Sequence, residues 1–192
     1  MMVVLLIFGI FIAIVAVTLS LVFILIRHVN KANRRYETFA KQYGYQFDKA
    51  QGRAAYRDYS RNNTKKVVNM KLVANPYVEK YANYTSYPFG RGAHLKVAYV
   101  ISGTYQHVPF RAFTYQFTGS SIEQSGPGGV FSIVMIQTET AHFTDLPDNV
   151  FYENKTLCEY LPENLNVDTI HKRIENLIKI KEIEDDTETV SK

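Results

Sequence analysis

The sequence predicts an α+β protein: an N-terminal transmembrane helix followed by one soluble domain with an antiparallel sheet and flanking helices. Three observations carry this. Residues 2–26 contain no charged side chain. Three segments between 95 and 143 are rich in β-branched and aromatic residues and are joined by a short link and a Gly-rich loop. Apolar residues recur at three- and four-residue steps on either side of that block, the mark of a helix with one buried face.

The first element is the run MVVLLIFGIFIAIVAVTLSLVFILI, whose only hydroxyl side chains are Thr18 and Ser20. About 20 apolar residues cross a bilayer core, and at 1.5 Å per residue this run spans roughly 37 Å. A cleavable signal peptide needs a basic start, an apolar core of about 7–15 residues and a small-x-small cleavage site. The run has none of these features. Residues 1–27 therefore read as an uncleaved membrane helix. Its N-terminal flank has no Lys or Arg, whereas Arg27, Lys31, Arg34, Arg35 and Lys41 follow it. The positive-inside rule places the N-terminus outside and residues 27–192 in the cytoplasm, at the cell membrane.

Residues 28–46 read as a juxtamembrane helix or stalk. Val29, Ala32, Tyr36, Phe39, Ala40 and Tyr43 line one face, with no Pro or Gly to part it from the membrane run. Gly44 stands where a helix ends in a left-handed residue, and Tyr45-Gln46-Phe47 can open a strand. The domain proper is 47–182. Within it, 51–61 reads as a short helix that puts Arg53, Arg57 and Arg61 on one face. Residues 67–75 read as a strand, and Tyr77, Tyr81 and Tyr84 then fall at helical spacing.

LKVAYVISGTY (95–105) and PFRAFTYQF (109–117) form a hairpin across 106–108. In the second strand Phe113, Tyr115 and Phe117 share one face and Phe110 and Ala112 the other. VFSIVMIQTETAHF (130–143) reads as a third strand, apolar on both faces at first and therefore central. The chain beyond Pro147 is less regular. Asp168 caps a last helix with Ile170, Ile174, Leu177 and Ile178 as its buried stripe, and the alternation in 178–183 leaves a strand open there. Residues 183–192 form a charged tail predicted to be disordered.

The helix ending FAKQYGYQF, then PFGRG, then VISGTYQHVPFRAFTYQF after a membrane helix resembles an uncharacterised bacterial membrane-anchored domain family. Its pattern is helix–Gly–aromatic, then G-x-x-x-x-x-P-F-x-x-F-x-Y, covering roughly residues 36–45 and 88–143. The aromatic after Gly44 is Tyr where the pattern more often has Trp. The resemblance implies a membrane location and this architecture, and supplies no catalytic residue.

Charge is divided along the chain. Residues 27–96 hold 15 Lys and Arg against 4 Asp and Glu, whereas 97–192 hold 7 against 14. The basic half is tethered beside the membrane. Arg27, Lys31, Arg34 and Arg35 lie near the inner leaflet, and Arg53, Arg57, Arg61, Lys65 and Lys66 extend that patch if their segment lies along the bilayer. Each basic side chain near an anionic surface contributes about 1 kcal/mol, within a Debye length of about 8 Å. The same charges also suit a solvated face. Nucleic acid is a third and disfavoured option, for which Tyr56 and Tyr59 would be the stacking aromatics.

No reaction is legible. SYPFGRGAHLKV (86–97) has the glycines of a phosphate loop, but they lead into a strand rather than into a helix N-terminus. The five histidines, at 28, 94, 107, 142 and 171, have no metal-ligand spacing, although 94, 107 and 142 all lie near strand ends. Cys158 has no neighbouring histidine in sequence, and Ser120 and Ser121 no G-x-S-x-G elbow. No catalytic residue, metal or cofactor is assigned.

The expected function is a single-pass, membrane-anchored, non-enzymatic binding or scaffold domain facing the cytoplasm. Its partners are the anionic inner leaflet and a protein the sequence does not name. The alternative is a membrane-associated enzyme on a lipid or peptidic substrate, with a site gathering His94, His107 or His142 beside a carboxylate. A pilin-like assembly subunit fits less well, because the first 26 residues lack a basic leader, a glycine cleavage point and the glutamate that follows it.

Overall fold

A computed structural model describes residues 2–49, 53–55, 76–81, 84–91, 94–118, 129–139, 143 and 145–190. Helix α1 runs unbroken from Met2 to Tyr43. One stretch of it, Ile7–Arg27, is long and apolar enough to cross a membrane, and none of it is covered by the rest of the chain. Its two hydroxyls are satisfied within the helix, Thr18 donating to the Ile14 carbonyl and Ser20 to the Ala16 carbonyl, both at 2.8 Å. That pattern suits an environment without water.

The helix stops at Gly44 as the sequence predicts. Gly44 has φ +70°, its N–H donates to Lys41 O, and the Tyr45 N–H donates to Ala40 O at 2.8 Å. The two bonds make a Schellman cap, and Tyr45 folds back onto Phe39 at 6.0 Å between ring centroids.

Among the described residues the sheet has seven strands: β1 Gln46–Asp48, β2 Arg53–Ala55, β3 His94–Tyr105, β4 Val108–Thr118, β5 Gly129–Gln137, β6 Val150–Glu153 and β7 Thr156–Leu161. All pairings are antiparallel, in the order β1-β3-β4-β5-β7-β6, with β2 sharing the β3 edge with β1. The central position expected for β5 is correct. Short α2 (Pro76–Lys80) follows the tyrosine spacing, and α3 spans Ile170–Val190.

The sheet has a core on each face. On one side Ile101, Phe110, Val134, Ile136 and Leu157 meet Tyr36 of α1 and the stripe Ile170, Ile174, Leu177 and Ile178 of α3. On the other side Val97, Phe113, Tyr115, Ile133 and Met135 are covered by Tyr81, Tyr84 and Phe89 from the 76–91 segment. The stretch SYPFGR, residues 86–91, is thus a lid on the second core. Phe89 is wholly buried, Gly90 has φ +66°, and Arg91 Nη1 donates back to the carbonyls of Phe89 and Gly90.

Several expectations are corrected. The helix expected over 51–61 is, at 53–55, strand β2, in register with Lys96, Leu95 and His94; ladder bonds to the β3 edge outweigh the local spacing. The strand expected over 67–75 lies outside the described residues. The third strand ends at Gln137, not at 143, because its partner β7 begins opposite it at Thr156. The region past Pro147 contains the β6–β7 hairpin, turned at Asn154-Lys155 with both φ positive. Asn166, not Asp168, is the cap: its Oδ1 accepts from Asp168 N at 3.2 Å and opens a 3₁₀ turn over Val167–Thr169. Residues 178–183 are helical, and α3 continues to Val190 where the composition predicts a disordered tail.

Candidate functional site

The predicted basic contact residues divide into three groups. Arg27, Lys31 and Arg34 are exposed on α1, and steps of three and four residues put them on one side of the helix. Arg35 is already engaged, donating to Asp168 Oδ2 and, at 3.2 Å, to Asn166 Oδ1. It ties the stalk to the turn before α3, beside Tyr36, whose hydroxyl donates to Leu165 O at 2.6 Å. Arg53 lies in β2 opposite Lys96, while Arg57, Arg61, Lys65 and Lys66 lie outside the described residues.

Among the described residues the histidines do not converge. His107 is in the two-residue β3–β4 turn and His94 at the far end of β3. At about 3.3 Å per residue, the eleven steps from His94 to Tyr105 separate them by more than about 30 Å. His142 lies outside the described residues. His171 instead packs among Phe39, Tyr43, Tyr45 and Tyr105, stacked on Tyr105 at 4.5 Å. Cys158 is fully buried in the second core, and burial, with a smaller contribution from Glu153, pushes its thiol pKa well up. That is the opposite of an activated nucleophile.

A cleft of about 220 Å³ opens on the second face of the sheet, at the end nearest the β3–β4 turn. Its floor is a cross-strand row, Ser102 opposite Arg111 and Arg111 opposite Met135, with Gln137 and Thr156 paired beside it. Its wall is Lys80, Tyr81 and Tyr84. Arg111 Nη1 donates to the Tyr81 hydroxyl at 3.1 Å, and Tyr84 donates to Thr156 Oγ1 at 3.1 Å. The guanidinium lies 5.8 Å over the Tyr77 ring, whose hydroxyl donates to Asp48 Oδ2. Arg111 Nε is buried and has no hydrogen-bond partner among the described residues. A buried donor left unmatched costs about 1–3 kcal/mol, more for a charged group.

Two cations meet here, with no carboxylate among the described lining residues. Partial burial, and then the charge of Arg111, pull the Lys80 pKa down. Burial pushes the Tyr81 hydroxyl up, so it stays a neutral phenol. The arrangement is a donor-rich, positively charged recess.

Part of this site leaves a trace in the sequence. Arg111 has the same parity as Phe113, Tyr115 and Phe117, so alternation puts a cation on an apolar strand face. Lys80 leaves none, because only the path of the 76–91 segment carries it there. No family model matches the chain, nor does any curated protein or solved structure.

Proposed function

We propose that this protein is a single-pass, membrane-anchored binding or scaffold domain, without enzymatic activity, seated on the anionic inner leaflet with its N-terminus outside. We also infer kinship with the uncharacterised bacterial membrane-anchored domains. The observation that carries the reading is the continuity of α1. The same helix that is apolar and uncovered over Ile7–Arg27 supplies Tyr36 and Ala40 to the folded core. An anchor built this way fixes both the distance and the attitude of the domain.

The distance is short. Arg27 to Tyr36 is nine residues, about 13 Å of helix axis. Tyr36 stacks on Tyr99 of β3 at 4.5 Å, while Tyr45 meets Gly103 and Phe110 further along the sheet. Strand β3 therefore runs in the same sense as the end of α1. Five residues back from Tyr99, His94 lies about 16 Å towards the membrane side. Strand β2 pairs with that end of β3, Ala55 opposite His94. The basic residues Arg57, Arg61, Lys65 and Lys66 follow it in sequence and join the proposed lipid contact on their charge alone.

Hydrogen exchange on the full chain in nanodiscs tests the lipid contact. Anionic lipid is expected to slow exchange over 27–35 and 53–66 relative to neutral lipid; equal rates in both would remove it. The scaffold role is tested by crosslinking in native membranes. A reproducible protein partner is expected, and recovery of nothing above background counts against it.

A further inference from the structure

We propose that the cleft beside Arg111 is a binding site for a small soluble molecule bearing a phosphate group, independent of the membrane contact.

The charge selects an anion. Lys80 and Arg111 line the cleft with no carboxylate among the described lining side chains, and Asp48 accepts from the hydroxyl of Tyr77, the ring that Arg111 lies over. The donor geometry selects an oxyanion with several oxygens. Nη1 of Arg111 is committed to Tyr81 and Nε is buried, which leaves Nη2 of this lining guanidinium as its donor to an oxygen in the cleft. A second oxygen has Lys80, with Ser102 and Gln137 on the floor. Phosphate, with a charge near −2 and three acceptor oxygens, matches two cations better than a carboxylate does.

The size limits the rest of the molecule. At about 220 Å³ the cleft is smaller than the roughly 300–1,000 Å³ that drug-sized ligands occupy. A phosphate with a few further heavy atoms fills it. The aromatic wall of Tyr81 and Tyr84 suits an apolar or ring-bearing remainder. The source is soluble, because the cleft opens at the β3–β4 turn end of the sheet and the membrane helix lies towards the other end.

The test uses the full chain in neutral-lipid nanodiscs, titrated with inorganic phosphate, acetate and chloride at matched ionic strength, reading thermal unfolding. Phosphate is expected to raise Tm saturably, with acetate at least tenfold weaker in midpoint. The Lys80 side chain is exposed, makes no hydrogen bond among the described residues and is repelled by Arg111, so Lys80→Met should not lower Tm in the absence of phosphate. That variant should weaken the phosphate midpoint about tenfold. Arg111→Lys, which keeps the charge and loses the planar guanidinium donors, should weaken it similarly. The proposal falls if phosphate does no more than chloride, if acetate equals phosphate, or if both variants respond like the parent. Repeating the titration in anionic nanodiscs separates the sources. An unchanged response supports a soluble ligand, and abolition of the response by lipid overturns it.

Discussion

Arg173 of α3 and Glu159 of β7 form a buried ion pair, Nε to Oε2 at 2.5 Å, with the side chains 4% and 12% exposed. The same guanidinium donates to Ser132 Oγ at 2.8 Å, to Ser132 O at 3.1 Å and to Glu159 O at 3.2 Å. One side chain thus fastens the last helix to two adjacent central strands. Removing one partner of a buried pair strands the other charge in a low-dielectric core.

Arg173→Met is accordingly expected to destabilise the domain by about 3–5 kcal/mol. The double variant Arg173→Met with Glu159→Leu should recover most of that loss, since no charge remains to be desolvated. Chemical denaturation of the full chain in detergent reads both. A double variant as unstable as the single one would show that packing, not the stranded carboxylate, sets the cost.

Gly103 marks a second dependence, on space. A Cβ there would lie 2.4 Å from Tyr45 Cδ1. That ring cannot move aside freely, because Phe110 meets it edge-on at 4.8 Å and Phe39 and His171 flank it. Gly103→Ala should cost about 1–3 kcal/mol by overpacking. Adding Tyr45→Leu, which empties the contested volume, should make the alanine nearly neutral relative to Tyr45→Leu alone. Denaturation midpoints of the four chains in this cycle decide it.

His171 couples the fold to pH. Burial lowers its pKa below the usual 6.5, with Glu175 opposing. The unfolded chain therefore binds the proton more readily, so this group's contribution is present above about pH 6.5 and is lost as pH falls through the folded value. Its ring lies 3.0 Å from the Tyr45 hydroxyl and stacks on Tyr105, whose hydroxyl donates to Glu175 at 2.6 Å. Tm should fall between pH 7 and 5 more steeply in the parent than in His171→Phe. Parallel curves would dissociate the histidine from the acid response.

What the sequence shows of this fold follows from which forces are local. The long apolar run, the Gly44 stop and the α3 stripe are legible because each is a property of one segment, and the structure has all three. The alternation of apolar residues over 95–105 is only partial. Its cause is a bulge: Tyr99 has φ +58°, the register with β4 slips between Ala98 and Ile101, and Val97 and Val100 then face the same core. The β6–β7 hairpin was missed because its turn is Asn154-Lys155 rather than the Asn-Gly that positive φ favours. The Arg173 cluster and the cleft combine residues 14 to 41 positions apart or more, which no local pattern reports. Charge segregation, by contrast, was visible at once, but Arg35 belongs to a tertiary tie as well as to the basic patch.

The orientation can be read with a single thiol. Cys158 is wholly buried and its thiol is held protonated by burial, so it stays silent to maleimides in the native state. Asn176 is exposed on α3, on the face away from the Ile174–Leu177 core contacts. An Asn176→Cys variant therefore places one reactive group on the domain without disturbing its packing. The Lys and Arg that follow Ile26, with none before it, predict that this thiol lies inside. A membrane-impermeant maleimide should leave intact cells unlabelled and react fully after permeabilisation. Labelling of intact cells would invert the topology, and with it the assignment of the basic residues to an inner leaflet.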